Sequence, residues 1–135
     1  GRTIPLVKSV DWLNLMQDNI VSCAKNYKNY NIKTLIISFV FPVRDRLERL
    51  TKLLKDEDCI VYHITLFCDA NELERRIRVR NSQKLISISK ALELNNKIKE
   101  LESYFSMNTT NKTPEEVTEI ICEKIIEIER GEISE

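Results

Sequence analysis

Apolar side chains recur at three- and four-residue steps along much of the chain, which is the spacing of one face of an α-helix. In the first such stretch, residues 12–30, the apolar positions are Leu13, Met16, Ile20, Cys23, Ala24 and Tyr27. Four further helices are predicted. The first carries the apolar stripe Leu47, Leu50 and Leu54 and ends at the acidic residues 56–58. The next two extend from Ala70 to about Asn81 and over 85–101, and the last carries the stripe Val117, Ile121, Ile125 and Ile128. Helices therefore dominate the predicted secondary structure.

Two of these helices begin with a capping-box sequence, in which the residue before the helix and an acidic residue three positions later satisfy each other's backbone N–H groups. Asp69 and Glu72 form one such pair, so a helix is predicted to start directly after Asp69. Thr113 and Glu116 form the other pair, and Pro114 between them suits the first position of a helix.

Runs of apolar, β-branched and aromatic residues between the helices predict strands. Residues 34–41 and 59–67 are nearly continuous runs, typical of strands that are covered on both faces of a parallel sheet. Residues 104–107 predict a short strand, and residues 3–7 a weak edge strand, because Pro5 cannot donate to a ladder. Strands that alternate with helices predict an α/β fold with three layers, α/β/α, and a mainly parallel sheet.

The overall composition narrows the classes of function. The 135 residues, 42% of them hydrophobic, suit a single domain that spans residues 1–135. The 21 basic and 21 acidic residues cancel, so no net positive charge attracts nucleic acid or an anionic membrane. No apolar run approaches the ~20 residues of a transmembrane helix, and no leader sequence opens the chain. We therefore expect a cytoplasmic protein without nucleic-acid or membrane partners.

The cysteine and glycine contents bear on redox state and on phosphate binding. The cysteines are scattered and accompany only one histidine, which predicts no metal site and buried thiols in a reducing compartment: Cys23, Cys59, Cys68 and Cys122. Glycine occurs only at Gly1 and Gly131. The glycine-rich loops G-x-x-x-x-G-K-[ST] and G-x-G-x-x-G, which wrap phosphate in backbone N–H groups, are therefore absent from residues 1–135.

Four arginines lie on the predicted helix that follows Asp69. Arg75 and Arg78 point away from the apolar stripe of that helix and are expected on a solvated face. Arg76 and Arg80 share another face because they are four residues apart, and Arg80 falls almost in line with the stripe. A guanidinium that points inward needs an anion or a carboxylate, so Arg76 and Arg80 are candidates for binding phosphate.

Three other residues invite a functional interpretation. Asp11 lies between a predicted strand and a predicted helix, where a carboxylate can meet a ligand, although the pattern favours an ordinary N-cap. Trp12, the only tryptophan, is expected to pack in the core. His63 lies within a predicted strand without a metal-ligand companion, which indicates a core or sheet-face histidine and argues against acyl-transfer catalysis.

Four stretches of the chain, in this order, resemble the later two-thirds of a small P-loop kinase of the shikimate- and nucleoside-kinase type. They span nearly the whole chain and comprise residues 10–12, 34–42, 66–80 and 108–117. In the third stretch, a strand and a small acidic turn lead into L-x-x-R-x-x-x-R, which Leu73, Arg76 and Arg80 match. The fourth stretch resembles the loop beside the adenine and the Pro-Glu-Glu helix that follows it.

The resemblance implies a P-loop NTPase-like fold that binds ATP and Mg²⁺ and transfers phosphate to a small-molecule acceptor or a nucleotide. Arg76 and Arg80 would grip the phosphates of ATP. Asp11 would face the phosphoryl acceptor or the magnesium shell. The residues that would lie beside the adenine are Asn108, Thr109 and Thr110, and Asn108 stands where the family usually has aspartate.

The chain also departs from that family. The family's first strand and its phosphate loop have no counterpart in residues 1–135, so these residues alone are expected to lack kinase activity. The family's first strand lies between the strands that match 34–41 and 59–67, so either another segment fills that position or these two strands pair directly. Together with Gly1 in place of Met, this predicts an upstream segment. A non-catalytic remnant that binds a partner and a flavodoxin-like binding domain are the alternatives, and a homodimer is compatible with each.

Overall fold

A computed structural model describes residues 11–39, 44–80 and 87–134 of the chain. In these residues five helices and two strands follow one another: α1 Trp12–Asn29, α2 Arg44–Asp56, β1 Ile64–Phe67, α3 Ala70–Arg80, α4 Ile88–Glu100, β2 Phe105–Asn108 and α5 Pro114–Ser134. The chain divides into two compact units, Gly1–Tyr62 and His63–Glu135. The first contains α1 and α2, and the second contains all the other elements.

The first unit is held together by the packing of α1 against α2. Its buried core consists of Ala24, Leu50 and Leu54, and the partly buried side chains around this core are Ile20, Val21, Cys59 and Val61. Gln17 of α1 is only 1% exposed, and its side chain donates to the backbone oxygen of Arg46 at 2.7 Å and accepts from Arg49 at 2.7 Å. The buried amide is therefore satisfied by α2, as a buried polar group must be.

Both helices of this unit end in a left-handed residue that is not glycine. Asn31 has φ 63° and Asp58 has φ 61°. After each of them, the next backbone N–H returns to the carbonyl five residues earlier: Ile32 donates to Tyr27 and Cys59 donates to Leu54. This is the hydrogen-bond pattern of a Schellman C-cap, at a position that glycine usually occupies.

The predicted strand over residues 34–41 is wrong in its described part. Residues 32–39 have no regular secondary structure and are exposed, while residues 40–43 lie outside the described residues. An apolar run becomes a strand only when another strand pairs with it, and the sequence pattern of the run does not identify that partner. Among the described residues the sheet consists of β1 and β2 alone.

The second unit is built on two parallel strands. β1 pairs with β2 in the register Ile64–Phe105 through Phe67–Asn108. The chain crosses from one strand to the other through α3 and α4, and α4 packs against both α3 and β1. Lys124 of α5 lies 4.8 Å from the ring centroid of Phe105, so α5 contacts β2. This arrangement confirms an α/β fold with a parallel sheet, in a described chain that is mostly helical.

The predicted start of α5 is confirmed in detail. The backbone N–H of Glu116 donates to Oγ1 of Thr113 at 3.1 Å, and the backbone N–H of Thr113 donates to the Glu116 carboxylate at 3.3 Å. The strand predicted over 59–67 is shorter, since β1 begins only at Ile64. The strand predicted over 3–7 and the first residues of the helix predicted over 85–101 lie outside the described residues.

Several expected burials differ from the observed ones. Trp12 is 52% exposed, so its expected place in the core is wrong. Cys68 is buried and Cys59 partly buried, but Cys23 of α1 and Cys122 of α5 are exposed, so the expected burial of these two thiols is wrong. Within the described ranges, no helix combines the length and the apolar character that crossing a membrane requires.

Candidate functional site

The two strands of the second unit end side by side. Because β1 and β2 are parallel and Phe67 pairs with Asn108, residues 68–69 and residues 108–110 leave the sheet at the same edge. Together with Arg76 of α3, these two turns form a surface that we call the carboxyl edge. In open parallel sheets, ligands bind outside the carboxyl ends of the strands.

Arg76 joins α3 to the turn after β2. Its Nη1 donates to Oγ1 of Thr109 at 3.0 Å, and its Nη2 donates to the backbone oxygen of Thr109 at 2.7 Å. Thr109 is buried, and its own N–H and hydroxyl donate to the backbone oxygen of Phe67. The guanidinium, 30% exposed as a side chain, is therefore fixed against both strand ends.

Glu72, one turn earlier on α3, holds Arg76 from the other side. Its carboxylate accepts from Nε of Arg76 at 2.9 Å and from two nitrogens of Arg75 at 2.7 Å and 2.9 Å. Hydrogen bonds from Arg75 and then from Arg76 lower the pKa of Glu72 to about 2, although partial burial opposes the shift. The predicted helix start at Ala70 is confirmed, but the capping box is not, since Glu72 pairs with the arginines and the Asp69 carboxylate accepts from Asn108.

Asp69 and the turn 108–110 are cross-linked by polar contacts. The carboxylate of Asp69 accepts from Nδ2 of Asn108 at 2.9 Å, and the backbone N–H of Asp69 donates to Oγ1 of Thr110 at 2.8 Å. Oδ1 of Asn108 in turn accepts from the backbone N–H of Thr110 at 3.0 Å. The three residues predicted to lie beside an adenine are therefore fixed to each other and to the end of β1.

Sequence reasoning missed Asn95, which supports this edge from α4. Its side-chain amide forms two hydrogen bonds with the backbone of Cys68, accepting from N at 3.2 Å and donating to O at 2.7 Å. The available signal was weak: asparagine in a helix interior has a lower helix propensity than most residues, which can indicate a role outside the helix. Burial raises the pKa of the adjoining Cys68 thiol, and the positive charge of Arg76 only partly opposes this effect.

Arg80 and Asp11, two of the predicted site residues, take no part in the hydrogen bonds of the carboxyl edge. Arg80 lies one turn beyond Arg76 and is exposed, not turned inward as expected, because α3 ends there. No other described residue forms a hydrogen bond or an ion pair with it. Asp11 lies in the first unit, where its carboxylate accepts from the backbone N–H of Asn14 at 3.1 Å as the N-cap of α1. The expected cap is confirmed, and a ligand role for Asp11 stays a prediction.

The remaining charged candidates are structural. Arg75 pairs with Glu72 and Arg78 pairs with Glu74, both on the exposed face of α3, which confirms the solvated face predicted for these arginines. His63 immediately precedes β1, and its Nδ1 lies 3.3 Å from the backbone oxygen of Glu102. In the part of the chain that the structure describes, no three His, Cys, Asp or Glu side chains are grouped so that they could hold a metal ion.

Comparison with known proteins gives no relative from which a function could be transferred. No protein-family model, curated protein or solved structure matches the chain. The carboxyl edge must therefore be interpreted from its own chemistry.

Proposed function

We propose that the chain is a P-loop kinase-like nucleotide-binding domain that binds ATP at the carboxyl edge. The observation that carries this function is the contact between Arg76 and Thr109. It joins the arginine motif of α3 to the segment that resembles the loop beside an adenine. These two sequence features are 33 residues apart along the chain and meet where parallel sheets bind ligands.

The positive charge of Arg80, one helical turn from this edge, suits a nucleotide with phosphates. Arg80 is exposed on α3 and forms no hydrogen bond with another described residue, so its guanidinium is available to an anion. A guanidinium binds phosphate oxygens through two parallel hydrogen bonds, which gives both affinity and orientation. Mg²⁺ enters this function as the counter-ion of the phosphates of ATP. Arg76, with its nitrogens bonded to Glu72 and Thr109, shapes the edge more than it grips phosphate.

Phosphoryl transfer to a small molecule or a nucleotide belongs to the proposed function only when a glycine-rich phosphate loop is present. Residues 1–135 contain no such loop, so they are expected to bind nucleotide without transferring phosphate. We also propose that β1 and β2 belong to a three-layer P-loop fold and that the protein is cytoplasmic.

A second candidate is a non-catalytic α/β module that binds another partner. It is favoured by one observation: the hydrogen bonds of Arg76 are taken up by Glu72 and Thr109, as in a purely structural cross-link. In that case, the carboxyl edge stabilises the second unit and has no nucleotide to bind.

Titration of the 135-residue chain with ATP and Mg²⁺, followed by calorimetry and by backbone amide NMR shifts, separates the two candidates. Nucleotide binding predicts shifts centred on Thr109 and Thr110. Arg80→Ala should then raise the Kd for ATP by about tenfold, the effect of losing one charged hydrogen bond.

The matched control is Arg78→Ala, which removes the same charge from the exposed face of α3. We expect it to change the Kd by no more than about twofold, because an exposed charge away from the ligand contributes little. Absence of ATP binding would favour the non-catalytic module. Equal effects of Arg80→Ala and Arg78→Ala would remove Arg80 from the site.

A further inference from the structure

The side chain of Asn95 bonds to the backbone of the residue that follows β1. Among the described residues β1 pairs with β2 on one side only. On the residue that follows β1, the side-chain amide of Asn95 accepts from the backbone N–H of Cys68 and donates to its C=O, at 3.2 Å and 2.7 Å. A neighbouring strand satisfies the backbone N–H and C=O of a residue in the same way, by accepting one hydrogen bond and donating another.

These two bonds matter because Cys68 is only 6% exposed. A buried backbone N–H or C=O that has no partner is strongly unfavourable, and water has little access to this residue. The side chain that satisfies both groups therefore determines how the chain turns from β1 into α3.

That turn carries Asp69, whose contacts organise the carboxyl edge. The peptide bond between Cys68 and Asp69 has its carbonyl bonded to Asn95 and its N–H bonded to Oγ1 of Thr110. The Asp69 carboxylate then holds Nδ2 of Asn108. A rotation of this one peptide plane would break contacts on both sides at once.

We propose that Asn95 is a positioning residue for the carboxyl edge: it fixes the peptide plane between residues 68 and 69 and, through Asp69, the orientation of Asn108 and Thr110 toward a bound nucleotide. This role rests on the proposed nucleotide function. Its structural part, the fixing of Asp69, can be measured without any nucleotide.

The backbone N–H and C=O of Cys68 require an acceptor and a donor on the same short side chain. Asn95→Asp keeps the size and the acceptor, but at neutral pH it places a second oxygen against the carbonyl of Cys68. Protonation of the introduced carboxyl restores a donor, so acid should rescue the variant. Burial and a facing carbonyl raise the pKa of such a carboxyl. Arg76, Glu72 and Asp69 are the charged groups that act on the neighbouring Cys68 thiol, and Lys99, one turn after Asn95 on α4, lies 5.6 Å from the ring centroid of Phe67.

Asn96→Asp is the matched control, because Asn96 is the next residue of α4 and is exposed. It introduces the same charge on the same helix without touching Cys68. Asn95→Ala is a second variant, which loses both bonds and gains no titratable group, so acid should not rescue it.

The experiment measures the hydrogen-exchange protection factor of the Asp69 amide and the Kd for ATP at pH 7.5 and at pH 5, on the full 135-residue chain. At pH 7.5 we expect Asn95→Asp and Asn95→Ala to lower the protection factor and to raise the Kd, each by about tenfold. At pH 5 the deficit of Asn95→Asp should shrink, the deficit of Asn95→Ala should remain, and Asn96→Asp should match the parent chain.

Unchanged protection of Asp69 in Asn95→Ala would overturn the positioning role, as would a deficit of Asn95→Asp that is the same at both pH values. A chain that does not bind nucleotide would give a different result. In that case the parent chain and Asn96→Asp bind no ATP, while the protection of Asp69 still supports or refutes the action of Asn95.

Discussion

Arg76 and Thr109 are joined by two hydrogen bonds, from Nη1 to the hydroxyl oxygen and from Nη2 to the backbone oxygen. Lysine has one nitrogen and cannot form this forked contact. We expect Arg76→Lys to lower the free energy of unfolding of the second unit by about 1.5–3 kcal/mol, the usual effect of losing a hydrogen bond from a charged group. Urea unfolding, followed through the NMR signal of Met107 in β2, measures the change.

Arg78→Lys serves as the control for this substitution, because Arg78 pairs with Glu74 on the exposed face of α3 and with no other described residue. It should change the free energy of unfolding by no more than about 0.5 kcal/mol. If both variants unfold at the same urea concentration, the contact with Thr109 contributes nothing to stability.

The lowered pKa of Glu72 predicts an acid-dependent loss of stability in the second unit. The pKa falls from the ordinary 4.5 to about 2 on folding, so the carboxylate stabilises the folded state above pH 4.5. That contribution is lost as the pH falls from 4.5 toward 2. Glu72→Gln should flatten the pH dependence of the unfolding midpoint in this range.

Glu74→Gln removes another carboxylate from the same helix and should leave the acid-dependent loss in place. Direct NMR titration of the Glu72 side-chain carboxyl carbon gives an independent value for the pKa. A midpoint near 4.5 would show that Arg75 and Arg76 do not hold the carboxylate in solution.

The four thiols should react at different rates. Cys23 and Cys122 are exposed, whereas Cys68 is buried and burial raises its pKa, which lowers the fraction of reactive thiolate. With iodoacetamide at pH 8, we expect Cys68 to react at least about tenfold more slowly than Cys23 and Cys122. Peptide mass spectrometry over a time course measures each site. Equal rates would mean that the Cys68 region opens readily.

The capping box at α5 should be measurable on its own. Thr113→Ala removes the hydroxyl that accepts from Glu116 N–H, and we expect it to destabilise the second unit by about 1 kcal/mol. Thr113→Ser retains the hydroxyl and should recover most of that loss. Urea unfolding of both variants is the measurement, and an equal loss in the two would point to the lost methyl group and not to the cap.

Local signals in the sequence predicted the helices well because those signals act over short distances. The starts of α3 and α5 follow from Asp69, Thr113 and Pro114, and the ends of α1 and α2 follow from polar residues that break an apolar stripe. Strands depend on a partner that is remote in sequence. The run over 34–39 has a strand-like composition but forms no regular secondary structure, whereas the short β2 is a paired strand.

Sequence-based prediction of the candidate site is limited in the same way, because its contacts join residues that are remote in sequence. The spacing of Arg76 and Arg80 indicated a shared helix face, but it could not show that Arg76 would bond to Thr109 while Arg80 stayed exposed. Helical periodicity also has no means of identifying Asn95, whose partner is a backbone group 27 residues earlier. Contacts between a side chain and a distant backbone group follow from the packing of whole elements, here α4 against β1.

The left-handed residues Asn31 and Asp58 bear on the conformational entropy of the unfolded chain. Glycine would occupy φ values near 60° without strain, but it would also give the unfolded chain more conformations to lose on folding. With two glycines in 135 residues, the chain accepts strain at these two helix ends and keeps its unfolded state less disordered. At Asn31 and Asp58 the strain offsets the entropic gain, so the gain comes from the positions where a side chain restricts the unfolded chain without strain, and no contact in the folded protein reveals it.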